Sequence, residues 1–356
     1  MPALIYPATA ALALYMGGVW LWLPVALNLL LVPLADWTVS RVAPGWRANP
    51  KVLRHLFAPW TFWVYALAQA AVLLAVMRVA AGVTPLEFFA LVSSTGIMTG
   101  TAGITAAHEL VHRRDPAQRA LGLALLAMTG YMHFRIEHVY GHHRNVATDA
   151  DPSSAALGES FPTFFGRMLW RGPHDAWRIE CARLQRRHLP RWSRHNRMLQ
   201  YAVIQIGLLA AIAAVFGPLA TLFFVSQCLM AVHLLEAVNY VQHYGLRRAM
   251  RDGRPEKVAE HHAWDASDPI SALLVFNLSR HAGHHRNPAL PAAVLVPAPG
   301  APRLPLGFYS MVFLALVPPL WHTLMDPRVR ALHAANRDAA RLVEHDRPHL
   351  QQQGAI

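Results

Sequence analysis

Residues 86–112 read LEFFALVSSTGIMTGTAGITAAHELVH. Nothing between Glu87 and Glu109 is charged, and the run matches the ~20 residues with which an α-helix crosses a roughly 30 Å hydrocarbon core. It ends in HELVH, where His108 and His112 are four residues apart and so stand one turn above each other on one helix face. A spanning helix that delivers two imidazoles at its end sets the fold class: an all-α, polytopic membrane protein whose chemistry is built where helices leave the bilayer.

Apolar runs of similar length lie at about 58–80, 198–216 and 218–240. Residues 3–35 are almost free of charge, but as one helix they would measure about 50 Å, too long for the hydrocarbon core. Gly17, Gly18 and Pro24 mark a turn between two shorter helices. The expectation is a bundle of six transmembrane helices. The apolar run 119–134 joins HELVH to the next histidine cluster, so both its ends must return to one side. It is expected as a re-entrant or buried helix with its polar ends covered by protein.

Hydrophobic residues make up 54% of the 356-residue chain, and its net charge of +12 lies outside the apolar runs. Arg41, Arg47, Lys51 and Arg54 fill the segment 37–57, arginine is dense across 113–197, and Arg247, Arg248 and Arg251 follow the last span; the connections at 81–85 and 217 are uncharged. Basic connections stay on the cytoplasmic face, which predicts a cell inner membrane protein with both termini in the cytoplasm. The charge points to a lipid membrane and not to nucleic acid. The first residues lack a basic n-region and a cleavage site and read as retained membrane segment. Cys181, expected in a loop, and Cys228, in an apolar run, form no CxxC pair. Neither a disulfide framework nor an iron–sulfur module is encoded, so electrons must come from another protein. Residues 1–330 read as one membrane-embedded domain, and 331–356 as a polar tail, solvated and helical from about 327.

Nine histidines fall into four clusters: His108 and His112 in HELVH, His138, His142 and His143 in EHVYGHH, His243 in NYVQHYG, and His281, His284 and His285 in RHAGHH. The set exceeds what one ion can bind, which implies two metals. The predicted topology runs the helices before His108 and before His243 in the same direction, so their ends converge on one side. HExxH by itself also suits a zinc hydrolase, which needs only one further ligand; seven more clustered histidines favour iron, whose ferrous state binds and reduces O2. A metal transporter would place its ligands near the bilayer midplane instead. His243 alone would read as an interfacial anchor, and His133 and His233, in apolar surroundings, are the best spare ligands. Glu109, Glu137, Glu236 and Asp151 sit beside ligands and are candidates to accept the second ring N–H. Glu236, inside a span, needs a partner most.

HELVH, EHVYGHHRNVATDADPSS, LLEAVNYVQHYGL, HAWD, LSRHAGHHRNP and LALVPPLWHTLMDPRV resemble, in order and spacing, the membrane-bound alkane monooxygenases, or AlkB-type alkane hydroxylases, over roughly residues 50–330. The resemblance implies a six-helix membrane fold with a cytoplasm-facing di-iron centre held by the nine histidines above. It implies insertion of one oxygen atom of O2 into a terminal methyl group, most simply of an n-alkane. It also implies a separate electron donor of the rubredoxin type with its reductase. Xylene side-chain monooxygenases are similar, and fatty-acid desaturases share a looser histidine pattern; either activity is the alternative. Four positions depart from the family's usual residues: Gln242 replaces a glutamate, Ala282 and Gly283 a serine and an aspartate, and Asp265 an asparagine. Asp265 joins the groups expected to support the ligands.

Two further expectations follow from composition. Nine arginines between Arg167 and Arg197, interleaved with Trp170, Trp177 and Trp192, suit either lipid headgroups or a small acidic electron carrier. The small residues of 97–107, IMTGTAGITAA, suit either a substrate channel or close helix packing.

Overall fold

The computed structural model describes residues 1–353 apart from 47 and 252, and side chains as far as Asn336 with the exception of 251. Arg47, the side chain of Arg251 and the end of the polar tail therefore lie outside the described residues. The described residues are mostly helical; the described strands are the two-residue pair Met250–Arg251 and Arg254–Pro255.

The first helix, α1 (Ile5–Met16), stops where the sequence lost its side chains: Gly17 and Gly18 adopt φ of 68° and 53°, left-handed values that cost glycine little. The helical run α2 (Gly18–Val42) follows, then α3 (Pro59–Val79) and α4 (Pro85–Val111). Thr84 and Glu87 start α4 with a reciprocal cap, the Thr84 hydroxyl accepting from the Glu87 N–H and the Glu87 carboxylate from the Thr84 N–H. Most of α4 is buried, and its glycines explain how. A Cβ on Gly96 would lie 2.4 Å from Met230, one on Gly100 2.8 Å from the Ala231 backbone, and one on Gly103 2.3 Å from Gln69. The small residues of 97–107 thus serve close packing at Gly100 and Gly103.

After α4 comes α5 (Pro116–Ala127), twelve residues and so about 18 Å, too short to cross. It packs back on α4, with Gly122 against Leu110 and the Ala107 carbonyl. Its C-terminal end is covered as lipid requires: the Met128 carbonyl accepts from Gln227 Nε2 at 2.9 Å. Next, α6 (Phe161–Gln185) contains Cys181, which the sequence reading had placed in a loop.

The next long helix, α7, runs Arg197–His243. As one rod its 47 residues would measure about 70 Å, more than two hydrocarbon cores. Gly217, with φ 82°, and Pro218 break it into two helices. Counted by length and composition, α2, α3, α4 and α7 are long and apolar enough to cross, and the bent pair 308–315 and 318–336 would add a fifth. That count differs from the expected six because it omits α1, which is short, and takes the two halves of α7 as one. The bent pair lies beyond the apolar runs that make up those six.

Beyond α7 lie the short helices α8 (Pro269–Leu274) and α9 (His281–Arg286), then α10 (Phe308–Ala315) and α11 (Pro318–Gln353). The helix from 327 is docked at its start: Val329 is fully buried, continuing the stripe of Trp321 and Met325 at spacing of four, and His333 Nε2 lies 2.9 Å from the Gly245 carbonyl. Docking extends past 327 because the apolar stripe continues at helical spacing.

Candidate metal centre

Each histidine cluster is carried by a helix end or a short helix, and local geometry sorts the rings. His108 lies in the last turn of α4 and His112 caps it. Residues His138–His142 form a π-helical turn, whose i→i+5 bonding stacks residues five apart; His138 and His143 therefore share a face, with Nε2 atoms 3.0 Å apart. His142 points elsewhere, to His285 at 3.2 Å. On α9, His281 and His285 are one turn apart and meet at 2.9 Å, while His284 turns to His143 at 3.1 Å. His243, ending α7, reaches His281 at 3.0 Å.

The result is two groups. His108, His112, His138, His143 and His284 form one, and His142, His243, His281 and His285 the other, the potential ligand atoms within each lying within 4.8 Å of one another. Nitrogens on a common ion at about 2.1 Å stand about 3 Å apart when adjacent, the separation seen here. Burial and neighbouring imidazoles press His138, His143, His281, His284 and His285 well below the ordinary histidine range, and burial takes His112 down to about 4. These rings are neutral at pH 7, with lone pairs available. His108 Nε2 and His112 Nε2 are buried without a hydrogen-bond partner, an arrangement that costs free energy unless an ion completes it. The donor set fits two imidazole-bound metal ions.

The carboxylates divide. Asp151 takes the expected supporting position, Oδ2 2.9 Å from His142 Nδ1 and also accepting from Ser154 Oγ at 2.6 Å. Burial alone would raise its pKa; His142 and the Ser154 hydrogen bond outweigh that and hold it below the usual carboxylate range. The other four do not pair with a clustered imidazole. Glu109 binds Arg113 and the Ala292 N–H, because an arginine one turn on outcompetes a neutral ring. Glu236 accepts from Tyr131 and Asn239, which gives it the partners that membrane depth requires. Asp265 accepts the N–H groups of Ala282 and Ala298 at 2.8 and 3.0 Å, tying down the start of α9. Glu137 Oε1 is buried without a partner. The spare candidates stay outside both groups: His133 packs on Tyr131, and His233 on Phe161 and Phe165.

Gln242, one of the departures, donates through Nε2 to the Leu278 carbonyl at 2.9 Å, joining the end of α7 to the segment before His281. An ionised glutamate has no proton to donate there. Sequence reasoning missed a third group, Glu256, His261 and His262. Its signal was the adjacent EHH at 260–262. The Ala259 N–H donates to His262 Nδ1 at 2.9 Å, so Nε2 carries the ring proton and donates to Glu256 at 3.0 Å. That tautomer makes a hydrogen bond, not a metal site.

A narrow apolar cleft lies among the helices that lead to the imidazoles. Its wall includes Ile97, Thr101 and Thr105 of α4, Val238 of α7, Leu278 and Phe308. Thr105 precedes His108 by three residues, Val238 precedes His243 by five and Leu278 precedes His281 by three, so each wall element leads directly to a ligand candidate. Gly103 is not in this wall; it faces Gln69.

The fatty acid desaturase family model matches residues 84–298. Alkane 1-monooxygenase 1 of Pseudomonas aeruginosa is 39% identical over 256 residues, 72% of this chain and 67% of that protein. Alkane 1-monooxygenase 2 of the same organism is 35% identical over 326 residues, 88% of this chain and 85% of that protein. The xylene/toluene monooxygenase hydroxylase component XylM of Pseudomonas putida is 26% identical over 332 residues, 92% of this chain and 87% of that protein. Its buried imidazoles, its apolar cleft and these likenesses together make the chain an oxidoreductase that belongs to the alkane 1-monooxygenases of the fatty acid desaturase family.

Proposed function

We propose that this protein is a di-iron monooxygenase of a cell inner membrane that hydroxylates the terminal methyl of an n-alkane: R–CH3 + O2 + 2 H⁺ + 2 e⁻ → R–CH2OH + H2O. The observation that carries the reading is the convergence of nine histidines, in groups of five and four, on helices that also wall an apolar cleft. The two irons would be held by His108, His112, His138, His143 and His284 on one side and by His142, His243, His281 and His285 on the other. When bound, they supply the O2 activation that a strong, unactivated C–H bond requires. Asp151 fixes the His142 tautomer with Nε2 toward the ion. Opened to take a chain endwise, the apolar walls of the cleft would exclude water, so that the tip of the chain and not an internal methylene would meet the centre.

The electrons come from a separate protein, a rubredoxin with its reductase. In this reading α1 and α2 form a hairpin within the membrane, α3, α4 and the two halves of α7 cross it, residues 1–330 are one catalytic domain, and the termini and metal centre face the cytoplasm. The basic connections support that orientation. XylM, a relative at 26% identity, makes an aryl methyl the second substrate class.

The test incubates iron-replete protein with a reduced electron donor, 18O2 and n-alkanes, methylarenes and acyl lipids in parallel. Labelled primary alcohol from the n-alkane supports the reading. Benzylic alcohol alone would move the substrate to the xylene class, and alkene from the acyl lipid would replace hydroxylation by desaturation.

A further inference from the structure

A second pocket, about 450 Å³, lies on the far side of Asp265 from the imidazoles, where the last turns of α2 meet the segment 303–310. It is within the roughly 300–1,000 Å³ of small-molecule sites, but its character is opposite to that of the cleft. Arg41 and Arg303 both line it. The Arg41 guanidinium lies over the Trp37 ring at 4.3 Å, and Arg303 donates to Ser267 Oγ at 2.9 Å and to the Ala298 carbonyl at 3.3 Å. Neither makes an ion pair among the described residues.

Three aspartates also line the pocket, and two are already used. Asp36 accepts from the Ile270 N–H at 2.7 Å and from the Ser271 N–H and hydroxyl, capping α8, and Asp265 is held by Ala282 and Ala298. Asp268 differs: its carboxylate accepts from the Phe308 N–H at 3.0 Å and from its own backbone N–H, and no side chain among the described residues donates to it. The mouth is apolar and interfacial, with Leu34, Trp37 and Leu306 at least half exposed at the end of a helix long enough to cross the bilayer.

Two guanidinium groups outside ion pairs, a carboxylate that no side chain engages and a lipid-facing rim complement a ligand that carries a phosphate, an ammonium and acyl chains. We propose that this pocket is a head-group site for a phospholipid of the phosphatidylethanolamine type, with Arg41 and Arg303 on the phosphate and Asp268 on the ammonium. The site lies outside the metal centre and does not depend on which substrate is oxidised.

Native mass spectrometry of the full iron-loaded chain in detergent, titrated with dioleoyl phosphatidylethanolamine or dioleoyl phosphatidylglycerol, tests it. One tight phosphatidylethanolamine adduct is expected, at concentrations where phosphatidylglycerol binds at least several-fold less. The double variant Arg41→Gln/Arg303→Gln should need about tenfold more lipid for the same occupancy, and Asp268→Asn should erase the preference between the two lipids. Both arginines are exposed, so helix content by circular dichroism and iron content should not change. A competition on the unaltered protein requires no variant to fold: soluble glycerophosphoethanolamine should displace the adduct and inorganic phosphate should not. Equal binding of the two lipids, unchanged binding by the double variant, or equal displacement by inorganic phosphate would each overturn the proposal.

Discussion

His142 and His143 are sequence neighbours that serve different groups, and this divergence is how short motifs feed two ions. Adjacent residues on a helix point about 100° apart, so each HH pair sends one ring to each group. Truncating a ring should therefore damage one ion more than the other. His284→Ala is expected to lower bound iron from about two per chain toward one and to abolish turnover, because the five-ring group loses a donor while the four-ring group keeps all of its own. Iron analysis together with Mössbauer spectroscopy reads this directly; full iron content with retained activity would remove His284 from the centre. Asp151→Asn acts one bond further out. It keeps an acceptor at the right place but not the charge, and a loss of roughly 10–100-fold in iron affinity is expected, measured by chelator competition.

At the scale of elements, irregular turns decide what faces what. Within α4, residues Met98–Gly103 are π-helical, and the extra residue rotates everything beyond it relative to an α-helix. Gly100 and Gly103 consequently face different neighbours, Ala231 of α7 and Gln69 of α3. Gly103→Leu should lower thermal stability, overpacking of this kind costing about 1–3 kcal/mol, while leaving the ratio of rates on long and short alkanes unchanged. Thr101→Leu, which fills the cleft wall, should shift that ratio toward short chains with iron retained; rates across an alkane series decide between the two faces. Elsewhere Glu180 staples α6 to the start of α7, accepting from Arg183 at 2.6 and 2.8 Å and from the Arg197 N–H at 2.8 Å. Although burial opposes ionisation, these donors bring its pKa from 4.5 down to about 2. A depressed carboxylate contributes stability above its unfolded pKa and loses it as pH falls through the folded one. The unfolding temperature should therefore fall between about pH 4.5 and 2, and Glu180→Gln should flatten that dependence while lowering stability at neutral pH.

For the whole molecule, the features legible in the sequence were those that depend on composition and α-helical spacing: the long apolar helices, the break at Gly17 and Gly18, the short return helix at 116–127 and the four histidine clusters. What escaped was local geometry off the 3.6-residue period. A spacing of four pairs His138 with His142, whereas the π turn pairs His138 with His143. Competition between partners escaped too, since adjacency could not reveal that Glu109 belongs to Arg113. The basic stretch is sharpened by the same partner accounting. Of the nine arginines from Arg167 to Arg197, Arg167, Arg178, Arg183 and Arg197 are in ion pairs, which leaves Arg171, Arg186, Arg187, Arg191 and Arg194 without one among the described residues. Arg191 also borders a groove of about 610 Å³ whose opposite wall is Glu137, Gly141 and Asn145, the segment that carries His138 and His142. An acidic electron carrier seated over this groove would approach the metal centre from outside the apolar helices, and its encounter would be steered by charge. The rate of substrate oxidation by limiting reduced carrier should then fall steeply with added salt as the Debye length shrinks from about 10 Å at 0.1 M to about 3 Å at 1 M. Reversing Arg186, Arg187 and Arg191 to glutamate should lower that rate and flatten its salt dependence, with turnover by a small uncharged reductant unchanged. Lipid-headgroup binding by the same arginines predicts a different pattern: the variants would lose affinity for anionic vesicles, yet in detergent without anionic lipid they would oxidise substrate with reduced carrier as fast as the unaltered protein, and that result would remove the carrier from this face.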